Sequence, residues 1–372
     1  MRILLIVSSY APNPGGLQTV TRQLARELQN RGNTVAVIAN RYPRKLAAVD
    51  NVDQVPVMRW QFLAPELRFL LSGRLDLFLA GFFYMPSTLA RLLRHLRRER
   101  PDVVNLHFVG APAFFVRLAR SFIKFRLVVS VHGDDVEGLS SQPAFDRWLF
   151  RSLLRKADRI TACSRYLLDQ AARIEPCVRQ KGRVIHNGIN QLDEPETDRN
   201  THGLFAAGRM VAKKGFDVLL RAFAGHSGES MLTLVGDGPE RKKLETFART
   251  LGLNGEVRFR GNRDQDGVLA EMADAQIVAI PSLQEPFGLI ALEAMSMGKP
   301  IVASRVGGLP EVLEGADAVL VNPGDAHELG AAIEMVRERL RSNASFGKRN
   351  RDLARRFSLQ RMVDNYLLAY QE

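Results

Sequence analysis

The chain alternates short apolar runs with longer segments in which apolar residues recur every three or four positions. This alternation is typical of β–α–β units, which build parallel sheets covered by helices. Leu17, Val20 and Leu24 share one face at helical spacing, and Gly32 is expected to end that helix. In the first half we predict strands at residues 3–8, 34–39, 103–107, 127–132 and 160–163.

A polar stretch then separates two similar halves. Residues 187–202 contain Pro and no apolar periodicity, so we interpret them as an interdomain linker. The alternation restarts beyond it, and the length suits two domains, which we predict over residues 1–186 and 203–356. Residues 357–372 are expected to form a helix that packs back on the first domain. The second set of predicted strands is 204–207, 231–235, 257–259, 277–280, 301–303 and 318–320.

Composition narrows the class of protein. The 46% hydrophobic and 25% charged residues are typical of a globular protein, and two cysteines fit a reducing compartment rather than a disulfide framework. The apolar N-terminal run is too short for a signal peptide, and no run of about 18 apolar residues predicts a spanning helix. We therefore expect a cytoplasmic protein, with peripheral attachment to the inner face of a membrane left open.

The net charge of +12 is unevenly distributed, because residues 1–185 carry a basic excess of 15. A basic half suggests an anionic partner, either nucleic acid or an anionic membrane surface. A general richness in arginine is the third explanation. Residues 57–100 combine Leu, Phe and Arg, with charges that exclude a transmembrane segment. They fit either a helix lying on a membrane interface or a helical insertion packed on the sheet with solvated arginines.

Two loops carry residue types suited to phosphate. Gly15 and Gly16 separate the first predicted strand from the first helix, where backbone N–H groups can approach an anion. By itself this pair fits an ordinary turn equally well. Arg209 and Lys214, after the first strand of the second half, can converge on one diphosphate. A solvated basic loop is the alternative.

A pair of glutamates follows the predicted strand 277–280. Glu285 lies where a loop enters a helix, so the N–H groups of residues 287–289 (Phe287, Gly288 and Leu289) are available to a ligand. Glu293 is a lone carboxylate in an apolar helix and needs a partner, which a ribose diol would supply. The polar edge of an ordinary helix is the alternative for Glu293.

These elements, taken in order, resemble the retaining glycosyltransferases of the GT-B fold, family 4 (glycosyl transferases group 1). The resemblance implies an α/β fold of two Rossmann-like, doubly wound domains that face each other across a cleft. It also implies a nucleotide-sugar donor held by the C-terminal domain and an acceptor on the N-terminal domain. The matching segments are GG at 15–16, VHGDD at 131–135, VIHNGIN at 184–190, GRMVAKKG at 208–215, LVGDGPE at 234–240, VRFRG at 257–261, E-x7-E at 285–293, GKPIVAS at 298–304 and GGLPEV at 307–312.

Carried onto this sequence, the resemblance implies a role for each motif. Arg209 and Lys214 bind the donor diphosphate together with the backbone at Gly15 and Gly16. Glu285 meets the donor sugar, and Glu293 holds the ribose. The remaining implied positions are His132 beside the sugar, Gly236 and Arg260 in the donor site with Arg260 near the base, and backbone contacts from Phe287, Gly288 and Leu289.

The resemblance also sets expectations for cofactors and partners. Asp264-Gln265-Asp266 formally reads D-x-D, but such a triplet is expected by chance, and we predict no metal and no cofactor. UDP is the expected nucleotide, and a glycan or a lipid-linked molecule the expected acceptor. A GT-B sugar-nucleotide epimerase is the alternative enzyme. A nucleic-acid partner is disfavoured, because the sequence has no recognition module.

Overall fold

The computed structural model describes residues 1–13, 15–41, 43, 45–63, 73–190, 203–225 and 231–372. The chain divides into two compact units, Met1–Gly188 with Leu359–Glu372, and Ile189–Ser358. Each unit contains its own largely parallel sheet, which confirms the predicted pair of doubly wound α/β domains. Of the segment interpreted as a linker, residues 191–202 lie outside the described residues.

The sheet of the first unit has eight strands in its described part, in the order β3-β4-β2-β1-β5-β6-β7-β8. Neighbouring strands are parallel except for the antiparallel pair β3–β4. The strands are β1 (Arg2–Val7), β2 (Thr34–Asn40), β3 (Val49–Val52), β4 (Val55–Trp60), β5 (Val103–His107), β6 (Arg126–Val131), β7 (Arg159–Ala162) and β8 (Gly182–Val184). The helices are α1 (Gly16–Asn30), α2 (Leu75–Glu99), α3 (Ala111–Ala119), α4 (Asp134–Glu137), α5 (Ala144–Lys156), α6 (Arg165–Ile174) and α7 (Val178–Lys181).

Burial follows the pattern that predicted these elements. All five residues of β5 are buried, as expected for a strand covered on both faces. In α1, Val20, Leu24 and Leu28 form the buried stripe. Gly32 follows the helix with a φ of 79° and donates its N–H to a carbonyl of the last turn. That left-handed conformation favours glycine, so the predicted helix end is confirmed.

The start of the Leu- and Arg-rich segment 57–100 is a strand, whereas both of our interpretations made this segment helical. β4 is a sheet strand, parallel to β2, and its Arg59 is 2% exposed. The Arg59 guanidinium donates to the Asp50 carboxylate at 2.8 Å and to the Ala11 carbonyl at 2.7 Å. An arginine that finds such partners can be buried, which composition alone did not indicate. Residues 64–72 lie outside the described residues.

The second unit has a six-stranded parallel sheet in its described part, in the order β11-β10-β9-β12-β13-β14. The strands are β9 (Leu204–Ala207), β10 (Leu232–Val235), β11 (Val257–Phe259), β12 (Ile277–Ile280), β13 (Ile301–Ser304) and β14 (Ala318–Val321). The helices are α8 (Phe216–Ala224), α9 (Arg241–Thr250), α10 (Gln265–Ala273), α11 (Leu289–Ser296), α12 (Leu309–Val312), α13 (Ala326–Ser342) and α14 (Asn350–Ala354). A last helix, α15 (Leu359–Gln371), belongs to the first unit and packs on α1 and β6.

Candidate active site

Loops at the carboxyl ends of β9 and β12 are joined by their backbones in the second unit. The Lys213 carbonyl accepts hydrogen bonds from the N–H groups of Leu283 at 2.8 Å and Gln284 at 3.2 Å. Gly215, on the loop after β9, has a φ of +64°, and a Cβ at this position would lie 2.1 Å from the carbonyl oxygen of Pro281 on the other loop. The close approach of the two loops therefore requires glycine. Ligands of open parallel sheets bind at this end of the strands.

Lys214 and Glu285, one from each loop, form an ion pair. The Lys214 ammonium lies 2.5 Å from Glu285 Oε2, and the Ser282 hydroxyl donates to the same oxygen at 3.3 Å. The Glu285 side chain is 9% exposed. The pair lines a concavity together with Phe216, Ser282 and Ile290. Two residues predicted from separate motifs are thus brought into direct contact.

The backbone of Glu285 is held from a third loop. Its carbonyl accepts a hydrogen bond from Gly308 N–H at 2.9 Å. The neighbouring Gly307 has a φ of +60°, and a Cβ there would lie 1.9 Å from the same carbonyl oxygen. The GGLPEV motif therefore supports the glutamate that follows β12.

Arg209 is an exposed cation on a firmly held backbone. The N–H of Gly208 donates to the Val235 carbonyl, and that of Met210 to the Asp237 carbonyl. The Arg209 guanidinium has no ion pair or hydrogen bond within the described residues. It is therefore available to an anion at the carboxyl edge of the sheet.

Glu293 lies on α11, one turn beyond its start. Burial raises the pKa of its carboxyl to about 7. Among the described residues its carboxylate has no hydrogen-bond or ion-pair partner. A carboxylate in this state gains by accepting hydrogen bonds from a ligand.

Other predicted donor-site positions lie in the same unit. Gly288 precedes α11 with a φ of +103°, and the N–H groups of the first two helical residues, Leu289 and Ile290, have no intrahelical acceptor. Phe287 is buried against Phe357, with ring centroids 6.2 Å apart.

Gly236 and Arg260 follow neighbouring strands of the same sheet. Gly236 N–H donates to the Gly261 carbonyl at 2.9 Å. A Cβ on Gly236 would lie 2.0 Å from the Gly208 carbonyl oxygen. The Arg260 guanidinium is exposed and pairs with Glu271 at 2.9 Å, so its contact with a base stays a prediction.

The formal D-x-D triplet has a structural explanation. The Asp264 carboxylate caps α10 by accepting a hydrogen bond from Gly267 N–H at 3.0 Å. Aspartate is a favoured residue at this position because it satisfies a free N–H of the first helical turn. Within the ranges that the structure describes, no cluster of three or more His, Cys, Asp or Glu side chains is arranged for a metal ion.

In the first unit, His132 follows β6 and is held by its backbone. Asp135 Oδ1 accepts from the N–H groups of His132 at 3.1 Å and Gly133 at 2.9 Å, and Oδ2 accepts from Val109 N–H at 3.4 Å. The carboxylate thereby ties together the loops that follow β5 and β6. Burial raises the pKa of Asp135 to about 6. Sequence reasoning did not assign Asp135 this supporting role.

The His132 ring contacts a second histidine that sequence reasoning missed. His132 Nε2 lies 3.0 Å from Nδ1 of His107, the last residue of β5. Burial lowers the pKa of His132 to about 4, so its imidazole is neutral at neutral pH. Both residues end or follow adjacent parallel strands, and that shared position was the available signal. Gly15 and Gly16 lie separately at the start of α1, where both are exposed.

Exposed aromatic side chains gather on two helices of the first unit. Phe82 and Phe83 on α2 are 53% and 78% exposed, and Trp148 on α5 is 53% exposed. Both helices also expose arginines, among them Arg94 and Arg151. In the described part of the chain, no helix combines the length and apolar character needed to cross a bilayer.

Comparison with known proteins identifies the family. The model "Glycosyltransferase Family 4" matches residues 14–191, and "Glycosyl transferases group 1" matches residues 201–338. Together they account for most of both units. The chain belongs to the family 4 glycosyltransferases of the GT-B fold.

Similar proteins agree with this membership over the whole length. N-acetyl-alpha-D-glucosaminyl L-malate synthase of Bacillus anthracis is 27% identical over 100% of this chain and 97% of its own. The structure of a sucrose-phosphate synthase from Thermosynechococcus elongatus superposes with a TM-score of 0.84 at 20% identity, covering 100% of this chain and 98% of that one. Anabaena HepE in complex with UDP-glucose gives 0.76 at 22% identity, over 99% and 100%. The two solved structures share the fold, and the family models together with the curated relative make this chain a glycosyltransferase.

Proposed function

We propose that this glycosyltransferase moves a hexosyl group from a UDP-linked donor to a glycan or lipid-linked acceptor, with retention of anomeric configuration. Such a reaction serves the synthesis of cell-envelope polysaccharide or glycolipid. The observation that carries the proposal is the edge of the second sheet. There Arg209, which has no partner among the described residues, and the Lys214–Glu285 pair lie on the loops that follow β9 and β12. Glu293, likewise without a partner in the described part of the chain, lies on α11, the helix after the second of these loops.

The two cations suit a departing diphosphate. As the bond between the anomeric carbon and the phosphate oxygen breaks, negative charge grows on the diphosphate. Arg209 offers a planar fork and Lys214 a point charge, and both stabilise that charge without a metal. Because Lys214 contacts Glu285, we propose that the diphosphate competes for this ammonium. Glu285 is then released toward a hydroxyl of the donor sugar.

Retention follows in this proposal from a front-face reaction. The acceptor oxygen bonds to the anomeric carbon on the face that the nucleotide leaves, and the departing phosphate oxygen takes the acceptor proton. The protein then mainly positions groups and stabilises charge. His132, neutral at pH 7, hydrogen-bonds a hydroxyl of the donor sugar rather than serving as a general base. An NMR spectrum of the product, recorded before anomers equilibrate, reads the configuration directly.

UDP is proposed as the nucleotide because HepE of Anabaena was solved with UDP and with UDP-glucose. A starch synthase of similar fold was solved with ADP, so the choice needs a test. A thermal-shift panel of UDP, GDP and ADP supplies it, without and with EDTA. A ligand at 100 times its Kd stabilises by about 2.7 kcal/mol. Stabilisation by GDP or ADP alone, or by UDP only when a divalent metal is present, would refute this part of the proposal.

An assay of the products formed with and without acceptor separates a transferase from an epimerase of the same fold. A transferase forms a new glycoside only when acceptor is added, whereas an epimerase changes the sugar nucleotide without any acceptor. We expect slow hydrolysis at most when UDP-sugar is incubated alone. Formation of an epimeric sugar nucleotide would favour the alternative.

A lipid-linked acceptor is favoured by the surface of the first unit. Phe82, Phe83 and Trp148 expose aromatic rings on helices that also expose arginines. Aromatic rings with basic neighbours suit the interface of an anionic bilayer. We therefore propose that the first unit binds an anionic membrane surface, where such an acceptor is presented. We propose no nucleic-acid partner.

A further inference from the structure

His107 has no part in the function proposed above, yet it lies against His132 in the interior of the first unit. It is fully buried, and its Nε2 has no hydrogen-bond partner among the described residues. Its Nδ1 lies 3.0 Å from His132 Nε2. Buried polar atoms in proteins are normally hydrogen-bonded, so a buried imidazole whose single partner is another histidine calls for an explanation.

The two rings meet edge to edge. Their planes are inclined by only 20°, and their centroids are 5.3 Å apart. The distance between the centroids equals the 3.0 Å between the two nitrogens plus about two ring radii. The line that joins the nitrogens therefore lies in the plane of each ring. One nitrogen therefore donates a proton straight to the lone pair of the other, which is a favourable hydrogen-bond geometry.

Two neutral arrangements fit this contact. If His132 donates from Nε2, His107 must carry its own proton on the buried Nε2, where no acceptor is available. If His107 donates from Nδ1, its Nε2 keeps only a lone pair. A buried N–H without an acceptor is the rarer and costlier state, so the second arrangement is favoured.

Charged forms do not compete. Burial lowers the pKa of both histidines, that of His107 further because of the neighbouring His132. The Tyr366 ring packs against His107 at a centroid distance of 5.8 Å, and burial raises its pKa to about 12. Asp135, which ties down the His132 backbone, contacts three N–H groups and not the imidazoles.

We propose that His107 is a positioning residue that fixes the tautomer of His132 by donating from Nδ1 to His132 Nε2. The proton of His132 then resides on Nδ1, which has no partner within the described residues, in a residue that is half-buried as a whole. His132 thus presents an N–H donor, and it recognises a hydroxyl oxygen through that oxygen's lone pair. This inference rests on the proposed function, in which His132 contacts the donor sugar.

The test begins with the tautomer, which needs neither donor nor acceptor. The sequence has seven histidines, so ¹⁵N-histidine spectra of the full chain at pH 7.5 are tractable, and His132→Gln assigns the His132 signals. We expect a protonated Nδ1 and an unprotonated Nε2 on His132. The opposite assignment would overturn the proposal whether or not the protein transfers sugar.

Two variants of His107 then separate positioning from packing. His107→Asn keeps an N–H donor close to the Nδ1 position, whereas His107→Leu fills the space without one. We expect Leu to lower kcat about 10-fold to 100-fold with an unchanged Kd for UDP, and Asn to restore most of that loss. Equal losses in both variants would mean that His107 only packs. Absence of transfer and of UDP binding in the wild type would refute the proposed function while leaving the tautomer result standing.

Discussion

At the level of single residues, the two cations proposed to bind the diphosphate differ in what holds them. Arg209 has no partner in the described residues, whereas Lys214 neutralises the nearly buried Glu285. Arg209→Ala is therefore expected to lower kcat about 10²-fold without changing the melting temperature. Lys214→Ala is expected to lower both kcat and the melting temperature, because it leaves the Glu285 carboxylate without its cation. Steady-state kinetics and calorimetry measure the two effects.

A double variant resolves the two effects at Lys214. Adding Glu285→Gln to Lys214→Ala removes the unpaired charge, so the melting temperature should recover while activity stays low. Lys242→Ala, an exposed lysine on α9, is the matched control and should change neither quantity. Wild-type activity in Arg209→Ala would remove this residue from the diphosphate site.

Glu293 should make both stability and nucleotide binding depend on pH. Its pKa is raised from 4.5 to about 7 by burial, so the folded chain binds more protons than the unfolded chain between these values. The stability of the wild type relative to Glu293→Gln therefore falls as pH rises through this window and stays low above it. At pH 8 the variant should be the more stable by on the order of 1–2 kcal/mol, allowing for partial solvent screening, and the difference should vanish near pH 4.5.

The same ionisation should appear in UDP binding. The ionised carboxylate can accept hydrogen bonds from both ribose hydroxyls, so wild-type affinity should rise between pH 6 and pH 8. Binding near pH 7 should release a proton, seen by calorimetry as a dependence on the ionisation enthalpy of the buffer. Glu293→Gln should bind more weakly at pH 8 and lose this dependence. A pH-independent Kd in the wild type would exclude Glu293 from the ribose site.

The sequence predicted these residues as parts of the site, but it did not predict which of them contact each other. Arg209 and Lys214 stood out as separated cations after a strand, and Glu293 as a lone carboxylate in an apolar helix. The Lys214–Glu285 pair spans 71 positions and depends on how two loops meet, which no local pattern encodes. His107 looked like the last residue of an apolar strand, since only the register with β6 brings it to His132.

At the level of elements, the glycines of the loops determine whether the motifs meet. Gly307→Ala would place a Cβ 1.9 Å from the Glu285 carbonyl oxygen at a φ of +60°. We expect a loss of about 2–4 kcal/mol of stability, combining left-handed strain with overpacking, and a large drop in activity as Glu285 is displaced. Urea denaturation and a transfer assay measure both quantities.

Gly315 offers a matched control for this substitution. Its φ is +75°, but a Cβ there would meet nothing within 4 Å. Gly315→Ala should therefore show only the strain, about 1–2 kcal/mol, with unchanged activity. Equal behaviour of the two variants would mean that the contact between Gly307 and Glu285 does not support the site.

The bounds of every predicted strand agree with the structure to within one residue at each end. β5, β9, β11 and β12 have the predicted bounds, and the other predicted strands differ by one residue at one end or at both. β3, β4 and β8 were missed for physical reasons. β3 is exposed and polar, β4 contains Pro56 and the buried Arg59, and β8 (GRV) has a single apolar residue. Strands at or near a sheet edge need not carry an apolar run.

At the level of the whole molecule, charge and aromatic exposure occur in the same unit. The chain has a net charge of +12, and the first 185 residues alone carry a basic excess of 15. Neither feature by itself specifies a partner, because solvated arginines and scattered exposed rings are both common. Because exposed arginines and exposed aromatic rings occur together on α2 and α5, we predict that this surface binds lipid.

The first unit should bind anionic vesicles through both features. Each basic residue near the surface contributes about 1 kcal/mol, an attraction that salt screens, while inserted rings add a contribution that salt does not screen. We expect co-sedimentation with vesicles containing phosphatidylglycerol, weakened by salt, and little with neutral phosphatidylcholine.

Phe82→Ser combined with Phe83→Ser should weaken binding to the anionic vesicles at least 10-fold, whereas Met335→Ser, at an exposed apolar residue of the second unit, should not. Because these side chains lie outside the proposed donor site, the double variant should keep its Kd for UDP. Equal binding to both kinds of vesicle, or to neither, would favour an acceptor presented in solution.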